Sequence, residues 1–502
     1  MTATFQDFYK GMGFTEFPFS ILNAESEGEK GSDLFVSTSK YGPIIEGFLS
    51  GNTMIITGDR GSGKTAIILD FIRKFRTDER LSSGLFVSIN DFSSLKSEFS
   101  SGDLYKFAIE EIAKEIFTRI ARQDVYVSKL GKDEKVGLTY FLHHFVPAST
   151  KAELRKKIES IQIGKMQRLL TWCYRVLRFP ANVGINAVTH FVSDILSKSL
   201  GGSGSPETAF REYLPDVDLS PTIDFNDVET SFAKLKELVA LSRKLGFGRV
   251  VLIMDKIDED PRFHSAAEEI AAFVEPIVSD TKFLLDQDMQ VVIALWIAPF
   301  NMIKDKVRTQ KVYCAALDWS SRDLEAALNR RTNVYSNLKI NSFHELFSED
   351  VTSDTLAYLF RMANKNPRDL WHIMSYIMYS QYDSLSISTK IENNAINSGL
   401  NDFVQKFNYY ENYPRKANAK ASSMDAYGYI KHLLKLSGDH FTRNQLNDAA
   451  GTGSSTLNYC VGMENLGLIE KDGSSSGNIN YRIRDPKVTH AITNGLDISK
   501  SG

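Results

Sequence analysis

The stretch MIITGDRGSGKTAIILDF, residues 54–71, decides the fold class of this chain. A short apolar run, a glycine-rich turn and apolar residues at helical spacing predict a buried strand, a loop and a helix in succession. The turn GDRGSGKT, residues 58–65, fits the phosphate-loop pattern G-x-x-x-x-G-K-[ST] at every defined position. A plain glycine-rich turn is the alternative, but the strand before it and the helix after it favour nucleotide binding.

The loop residues have distinct expected roles. Backbone N–H groups would form a nest for the β-phosphate, and the dipole of the following helix would add to it. Lys64 would reach the β- and γ-phosphates, and the Thr65 hydroxyl would ligate the metal. The predicted cofactors are therefore ATP and Mg²⁺. The expected nucleotide-binding residues are Gly58, Asp59, Arg60, Gly61, Ser62, Gly63, Lys64, Thr65 and Ala66.

A second apolar run ends in acidic residues, in the stretch VVLIMDKIDED at residues 250–260. Asp255 would end a strand and hold the Mg²⁺. Asp258 and Glu259 follow on the turn, where either could orient the attacking water. A strand followed by a solvated acidic turn is the alternative. The phosphate loop elsewhere in the chain favours the metal-holding interpretation.

This acidic stretch resembles the Walker B pattern of STAND-class signalling ATPases, which are relatives of the origin-recognition and AAA+ ATPases. Lys256 stands where those families often place a small residue, so this cation could pair with Asp258 or Glu259. The resemblance implies an α/β fold with a P-loop NTPase parallel-sheet core of the ASCE/AAA+ type. It also implies a setting in prokaryotic conflict or antiphage systems.

Two further stretches resemble these ATPases. The stretch ALDWSSRDLEAALNRRTN, residues 316–333, resembles the helix after the last core strand. That resemblance implies that Arg330 or Arg331 acts on a neighbour's γ-phosphate or braces the site; a solvated helix end is the alternative. The stretch ANKNPRDLWHIM resembles the lid motif Pro-Arg-Asp-Leu, which implies that Arg368 approaches the γ-phosphate. A surface arginine at a helix start is the alternative.

The N-terminal stretch GFTEFPF resembles the leader that lines the adenine pocket in these ATPases. The resemblance implies a stacking role for Pro18 and Phe19, which an ordinary hydrophobic staple would explain as well. AAA+ ATPases also place a polar sensor at the end of the fourth core strand. This chain reads ALWIAPFN there, and Asn301 comes several residues late, so no sensor is assigned.

Strands predicted at 54–57, 84–90, 249–255, 290–297 and 312–319 alternate with helices, which indicates a parallel sheet covered on both faces. Between these strands, long stretches with apolar residues at helical spacing predict a large insertion. The expected segments are a leader with the first part of the ATPase core (1–103), a helical insertion (104–245), the second part of the core (246–335), a helical lid and connector (336–424) and a winged-helix domain (425–502).

The winged-helix prediction comes from two short helices followed by strand–loop–strand in the C-terminal segment. The second helix, SSTLNYCVGMENLG, contains no lysine or arginine, although a DNA-reading helix normally needs cations near phosphates. The wing supplies Lys471, Arg482 and Arg484 as its basic group. Docking of protein, or packing on the ATPase, is therefore favoured over DNA, which remains the alternative.

Composition sets outer limits on function. The 502 residues carry a formal net charge of −3, which provides no whole-chain attraction to nucleic acid. The three cysteines are far apart in the sequence, which fits a reducing cytoplasm and argues against a zinc site. The longest apolar runs are too short to span a bilayer, and no signal segment is recognised, so we expect a cytoplasmic protein without a membrane partner.

The function these features favour is an ATP-dependent regulatory switch or assembly platform that hydrolyses slowly. Its partners would be copies of itself or a separate effector protein, because no nuclease or protease motif is present. One alternative is a DNA-processing or replication-initiator-like ATPase. A second alternative is a nucleotide-binding scaffold without meaningful turnover.

Overall fold

A five-stranded parallel sheet lies at the centre of the P-loop core. The computed structural model describes residues 3–77, 83–121, 130–146, 227–416, 424–475 and 478–499. The strands are β1 (Met54–Gly58), β2 (Leu85–Ile89), β3 (Val250–Met254), β4 (Met289–Trp296) and β5 (Tyr313–Ala316). Their order across the sheet is β2-β3-β4-β1-β5, with every pairing parallel. The predicted α/β P-loop core is confirmed.

The sheet is covered on both faces, as the unbroken apolar runs predict. All residues of β1, β3 and β4 are buried. Successive side chains of a strand point to opposite faces. Accordingly, Ile55 joins a cluster with the insertion helices, while Ile56 joins one with the helices that flank the phosphate loop. The helices around the core are Gly31–Leu34, Tyr41–Leu49, Lys64–Thr77, Ala267–Ser279, Thr281–Leu284 and Ile297–Ile303.

The described part of the helical insertion packs directly on the sheet. Its helices are Ser101–Ala121, Lys132–Phe145 and Val228–Lys244. Ile112 and Leu238 belong to the same hydrophobic cluster as Leu252 of β3, so these helices extend the core. Residues 122–129 and 147–226 of the predicted insertion lie outside the described residues.

The C-terminal half has a helical lid followed by a winged helix. The lid helices are Ser353–Met362, Pro367–Ser384 and Asn393–Lys406, and the helix Ser321–Tyr335 connects them to β5. The winged-helix region contains the helices Ala426–Leu433, Arg443–Ala450, Thr456–Asn465 and Pro486–Asn494. Its antiparallel sheet has the order β6-β8-β7, formed by β6 (His440–Thr442), β7 (Ile469–Ser475) and β8 (Asn478–Ile483). The predicted winged helix is therefore present.

The leader, the lid and the winged helix share one hydrophobic cluster. It includes Phe8 of the leader helix Phe5–Gly11, Leu370 of the lid and Leu446 of the winged helix. The tyrosine-rich stretch at 407–416, within the predicted lid and connector segment, contributes buried Tyr409 to the same cluster. The large apolar ring of tyrosine favours burial, so part of this segment belongs to the core.

A buried ion pair joins the winged helix to the lid. Lys487 is fully buried, and its Nζ lies 3.1 Å from Asp369 Oδ2 and 3.5 Å from Asp485 Oδ1. The Tyr413 hydroxyl donates to Asp485 Oδ2 at 2.9 Å. Burial acts to lower the pKa of Lys487, but the two carboxylates outweigh it and hold that pKa above its ordinary value. The lysine is therefore charged, and the cluster ties two segments together.

Replacing Lys487 with methionine is expected to destabilise the protein by about 3–5 kcal/mol, because two carboxylates would be left buried without a cation. The check is thermal unfolding without nucleotide, with Lys431→Met as a matched control on an exposed winged-helix lysine. The double variant Lys487→Met with Asp369→Asn should recover part of the loss. A melting temperature of the single variant equal to that of the control would contradict this account.

Candidate nucleotide-binding site

The phosphate loop has the backbone of an anion nest. Gly61 and Gly63 adopt φ of 81° and 90°, the left-handed region that glycine tolerates best. A Cβ on Gly61 would lie 2.6 Å from Asn366 Oδ1 and 2.7 Å from Arg368 Cβ, so a side chain there would collide with the lid. The turn thus requires glycine at both positions, and the lid that closes over the loop requires it at Gly61.

Lys64 begins the helix Lys64–Thr77 and is folded back over the loop. Its Nζ donates to the carbonyl oxygens of Gly58 at 3.1 Å and Asp59 at 3.0 Å. Burial lowers the pKa of Lys64, while the nearby carboxylates of Asp258, Asp255 and Asp59 act in the opposite direction. An ammonium held by two neutral carbonyls can exchange these bonds for stronger ones to phosphate oxygens.

Thr65 and Asp255 meet at the edge of the sheet. Thr65 Oγ1 donates to Asp255 Oδ2 at 2.8 Å, and the Lys256 N–H donates to Asp255 Oδ1 at 2.9 Å. Burial raises the pKa of Asp255, against the lowering effect of these two hydrogen bonds and of Lys64. A hydroxyl and a carboxylate oxygen are ligands that Mg²⁺ accepts, with water completing its octahedron. The pair predicted to hold the metal is therefore in place to do so.

The acidic turn after β3 is anchored to the leader. Lys256 adopts φ of 63°, uncommon outside glycine, and its Nζ lies 2.5 Å from Glu25 Oε2. Of the partners suggested for Lys256 by the sequence, neither Asp258 nor Glu259 forms an ion pair with it in the described structure. The lysine thereby fastens residues 24–30 of the leader to the turn.

Asp258 and Glu259 have different environments. Arg60 Nε lies 2.9 Å from Asp258 Oδ2, and Arg60 Nη2 donates to the Asp258 carbonyl at 2.6 Å. Glu259 forms no side-chain hydrogen bond or ion pair with a described residue, and it lines the cavity above the loop. Partial burial raises the pKa of Glu259, and the charges of Lys256 and Arg368 act against that rise. Glu259 is therefore the acid on this turn that is available to water.

The lid touches the loop through the start of the helix Pro367–Ser384. Asn366 caps this helix by accepting from the N–H groups of Arg368 and Asp369, and its Nδ2 donates to the Arg60 carbonyl at 2.7 Å. Arg368 lines the cavity, and its Nη1 lies 3.8 Å from Glu411 Oε2. Arg368 Nε is buried without a hydrogen-bond partner in the described part of the chain. An unpartnered guanidinium N–H beside the loop fits an anionic ligand.

Trp319 is a cavity residue that the sequence analysis did not single out. It follows β5, and its Nε1 donates to the Ser62 carbonyl of the phosphate loop at 2.8 Å. Ser62 Oγ, on the same residue, is buried and has no hydrogen-bond partner among the described residues. The position of an aromatic residue directly after a core strand, where such sheets carry their sites, is the signal that could have identified Trp319.

The cavity above the loop is also lined by apolar side chains. The leader, the lid and the residues after β5 supply Leu22, Ala24, Leu34, Val36, Leu317 and Trp371. A lining that combines phosphate-binding groups with apolar side chains suits a nucleoside triphosphate, which has a charged and a largely apolar part.

Pro18 and Phe19 lie outside this cavity. The Pro18 carbonyl accepts a hydrogen bond from Arg331 Nε, and Phe19 is buried against Trp371 with ring centroids 6.2 Å apart. The implied stacking role of Pro18 and Phe19 therefore does not hold in this structure. The leader turns after Phe19, so its next segment reaches the cavity while these two residues pack into the lid.

The two candidate arginines are both engaged within this chain. Arg331 is buried, with Nη1 2.6 Å from Glu27 Oε1 and Nη2 donating to the Ile21 carbonyl at 2.6 Å. It thus lies between the leader and the lid at the cavity wall, which favours the bracing alternative. Arg330 is exposed, donates to the Asp33 carbonyl, and does not line the cavity.

The end of β4 carries no polar sensor. Trp296 ends this strand, is fully buried, and lies under the Arg60 guanidinium at 4.4 Å from the ring centroid. Asn301 is exposed in the helix Ile297–Ile303, so it cannot supply the missing group.

Each cation of the predicted wing group has an acidic partner. Lys471 Nζ lies 3.2 Å from Glu464 Oε1, while Arg482 and Arg484 both pair with Glu470. These pairs are exposed, so a phosphate could displace them, but each displacement would leave an unpaired carboxylate close to the phosphate.

No described helix combines the length and the apolar character that crossing a bilayer requires.

Two solved structures share a weak overall similarity with this chain. The Aeropyrum pernix ORC1 protein in complex with DNA is 10% identical, over 93% of this chain and 92% of its own, with a TM-score of 0.32. The A. pernix ORC2 protein in its ADP form is 10% identical, over 97% of this chain and 96% of its own, also with a TM-score of 0.32. No family model matches the chain, and no curated protein matches it. Scores this low transfer no residue roles.

Proposed function

We propose that the chain binds Mg²⁺-ATP, hydrolyses it slowly, and uses the position of its lid as a nucleotide-dependent switch. One observation carries the proposal: the phosphate loop, the Asp255–Thr65 pair and the start of the lid helix converge on one cavity. Lys64 would bind the β- and γ-phosphates from the loop, and Arg368 would approach the γ-phosphate from the lid. With the lid closed, the charges of Lys64 and Arg368 would each gain a phosphate as partner.

Hydrolysis would break the bond between the γ-phosphorus and the bridging oxygen, with water as the nucleophile and ADP and phosphate as products. Glu259 would accept a hydrogen bond from this water and orient it. Mg²⁺, held through Thr65 and Asp255, would neutralise charge on the phosphate oxygens. Because Trp296 occupies the sensor position and Arg331 is fully engaged in its own chain, fewer groups stabilise the transition state, and we expect slow turnover.

The lid also reaches the winged helix through residues close together at the start of the helix Pro367–Ser384. Asn366 contacts the loop, Arg368 lines the cavity and Asp369 pairs with buried Lys487. A change at the γ-phosphate would therefore bias the position of the winged helix, which is how a local charge change becomes a switch. Assembly with further copies or with a separate effector protein is the proposed output. A setting in prokaryotic defence is proposed from the Walker B resemblance.

Replacing Asn366 with aspartate tests the lid contact. A carboxylate still caps the helix, but it cannot donate to the Arg60 carbonyl, so the link between lid and loop is lost while the cap remains. We expect amide exchange at residues 363–370, measured with bound Mg²⁺ and a slowly hydrolysed ATP analogue, to become about tenfold faster, because local opening costs less free energy.

The matched control for this change is Asn447→Asp in the winged helix, where the Asn447 side-chain oxygen accepts from the Gly453 N–H far from the cavity. The control should leave exchange at the lid unchanged. Equal protection of residues 363–370 in Asn366→Asp and in the unmodified chain would contradict a lid held by this contact.

The exposed face of the helix Thr456–Asn465 favours a protein partner over DNA. Leu457 and Val461 are exposed one turn apart on this helix. A partly apolar face without lysine or arginine suits contact with protein, whereas duplex DNA requires cations near its phosphates. The DNA-processing alternative would instead be favoured by salt-sensitive binding of duplex DNA together with faster ATP turnover.

A further inference from the structure

Arg60 connects the phosphate loop, the acidic turn after β3 and the end of β4. Its guanidinium donates to the Asp258 carboxylate and to the Asp258 carbonyl, and Nη1 donates to Ser265 Oγ at 3.0 Å. The same group lies over the Trp296 ring. We propose that Arg60 is a positioning residue that holds the acidic turn against the phosphate loop and leaves Glu259 as the water-orienting carboxylate. This inference rests on the proposed ATPase function.

The contacts of Arg60 are inconsistent with a role as phosphate ligand in this arrangement. Each of its three guanidinium nitrogens donates a hydrogen bond within the chain, and its side chain is only 10% exposed. Reaching a phosphate would require the side chain to release Asp258, which is itself only 5% exposed. A buried carboxylate left without its cation is strongly unfavourable. Arg60 lies inside the phosphate loop in the sequence, but in the folded chain its side chain binds Asp258 and not the nucleotide.

The turn that Arg60 holds is supported on its far side by buried Ile257 and by Arg262, which binds Asp260. It starts at Lys256 with a left-handed backbone, and Lys256 pairs with the leader. Among the described residues, the side-chain hydrogen bonds between the loop (58–65) and the turn (256–260) are those of Arg60 to Asp258. The carbonyl and carboxylate of Asp258 are both bound by the planar fork of one arginine, which fixes the direction of the next residue, Glu259. Arg60 thus acts on the reaction through the orientation of Glu259.

The backbone of Arg60 adds the connection to the lid. Its carbonyl accepts the Asn366 amide, so the residue that orients the acidic turn also receives the lid. Trp296 fills the space below the guanidinium at the end of β4, and its Nε1 donates no hydrogen bond to any described residue. Contact with the flat Trp296 ring holds the plane of the Arg60 guanidinium in a fixed orientation relative to the turn. This arrangement lies at the end of β4, the position that holds Trp296 instead of a polar sensor.

The test compares Arg60→Gln, Arg60→Lys, Asp258→Asn and the double variant Arg60→Gln with Asp258→Asn. We expect Arg60→Gln to lower kcat about 10- to 100-fold while the Kd for Mg²⁺-ATP changes less than about threefold, since an interaction with the turn acts on the chemical step. Arg60→Lys should be intermediate, because lysine offers charge without the fork. The double variant should be no slower than either single variant, because the two residues act as a unit.

Arg322→Gln, at an exposed arginine on the helix Ser321–Tyr335, is the control and should keep the kcat of the unmodified chain. Amide exchange at residues 256–260 without nucleotide should be faster in Arg60→Gln than in the control. This measurement needs no turnover, so it separates the present inference from the proposed function. Absence of turnover in the unmodified chain would contradict the proposed function alone.

Two results would overturn the positioning role. The first is a Kd for Mg²⁺-ATP weakened more than about 30-fold in Arg60→Gln with kcat retained, which identifies Arg60 as a phosphate ligand. The second is unchanged exchange at residues 256–260 in both Arg60→Gln and Asp258→Asn. Because Asp258→Asn tests the same contact from the other side, an Arg60 variant that fails to fold does not remove the test.

Discussion

Replacement of Lys64 by alanine is expected to weaken binding of Mg²⁺-ATP at least about 100-fold, which corresponds to about 2.7 kcal/mol. The Lys64 Nζ is held by the Gly58 and Asp59 carbonyls at the floor of the cavity, so a bound triphosphate would gain charge-assisted hydrogen bonds from it. Hydrogen bonds to charged groups contribute about 1.5–3 kcal/mol each. No other lysine is close enough to replace it among the described residues that line the cavity, where Lys256 is paired with Glu25.

The measurement for this prediction is titration calorimetry with Mg²⁺-ATP. Lys74→Ala provides the matched control, because Lys74 lies on the same helix with an exposed side chain. Thermal unfolding without nucleotide verifies that both variants fold. Affinity of Lys64→Ala within a few-fold of the control would mean that the loop does not bind the triphosphate as proposed.

Glu259→Gln is expected to lower kcat by about 10²–10⁴-fold, the usual contribution of a positioned general base, with the affinity for Mg²⁺-ATP almost unchanged. Glutamine keeps the size and a hydrogen-bonding oxygen but loses the charge that polarises water. Glu268→Gln is a suitable control, since Glu268 is exposed in the first turn of the helix Ala267–Ser279. Equal turnover in the two variants would favour the scaffold alternative or another base.

The pH dependence of turnover provides a second check on the role of Glu259. Partial burial raises the pKa of Glu259, so its carboxylate is lost at a higher pH than that of an ordinary glutamate. A base must be deprotonated to act, and therefore kcat/KM should fall with decreasing pH above the usual glutamate range. In Glu259→Gln this acidic limb should disappear. Retention of the limb in that variant would assign it to another group.

The sheet and the phosphate loop are determined by short-range patterns in the sequence. Unbroken apolar runs predicted β1, β3 and β4, because a strand buried on both faces cannot alternate polar and apolar residues. The glycines at 61 and 63 and the lysine that follows them specify the loop through local backbone geometry. The two predicted metal-site residues, Asp255 and Thr65, came together because the carboxyl ends of parallel strands share one edge of the sheet.

Such short-range patterns could not predict which side chains from distant segments would contact each other. Arg331 gave no sign in its own sequence neighbourhood that it would bind Glu27 and brace the leader. Phe19 sits in a motif that resembles an adenine-pocket leader, yet it packs on Trp371. An apolar ring carries no sequence signal of which of two nearby apolar surfaces it will join, because burial is nearly non-directional. The choice depends on where the leader turns.

The sequence alone thus determined the P-loop core and the winged helix and predicted the residues that would hold phosphate and metal, because these depend on periodicity and local backbone conformation. Only the tertiary structure decided which acid on the turn is available. Arg60 and Asp258 are separated by 198 residues, Arg60 and Asn366 by 306. Hydrogen bonds between such distant residues exist only after the chain has folded, and they leave Glu259, next to bound Asp258, facing the cavity.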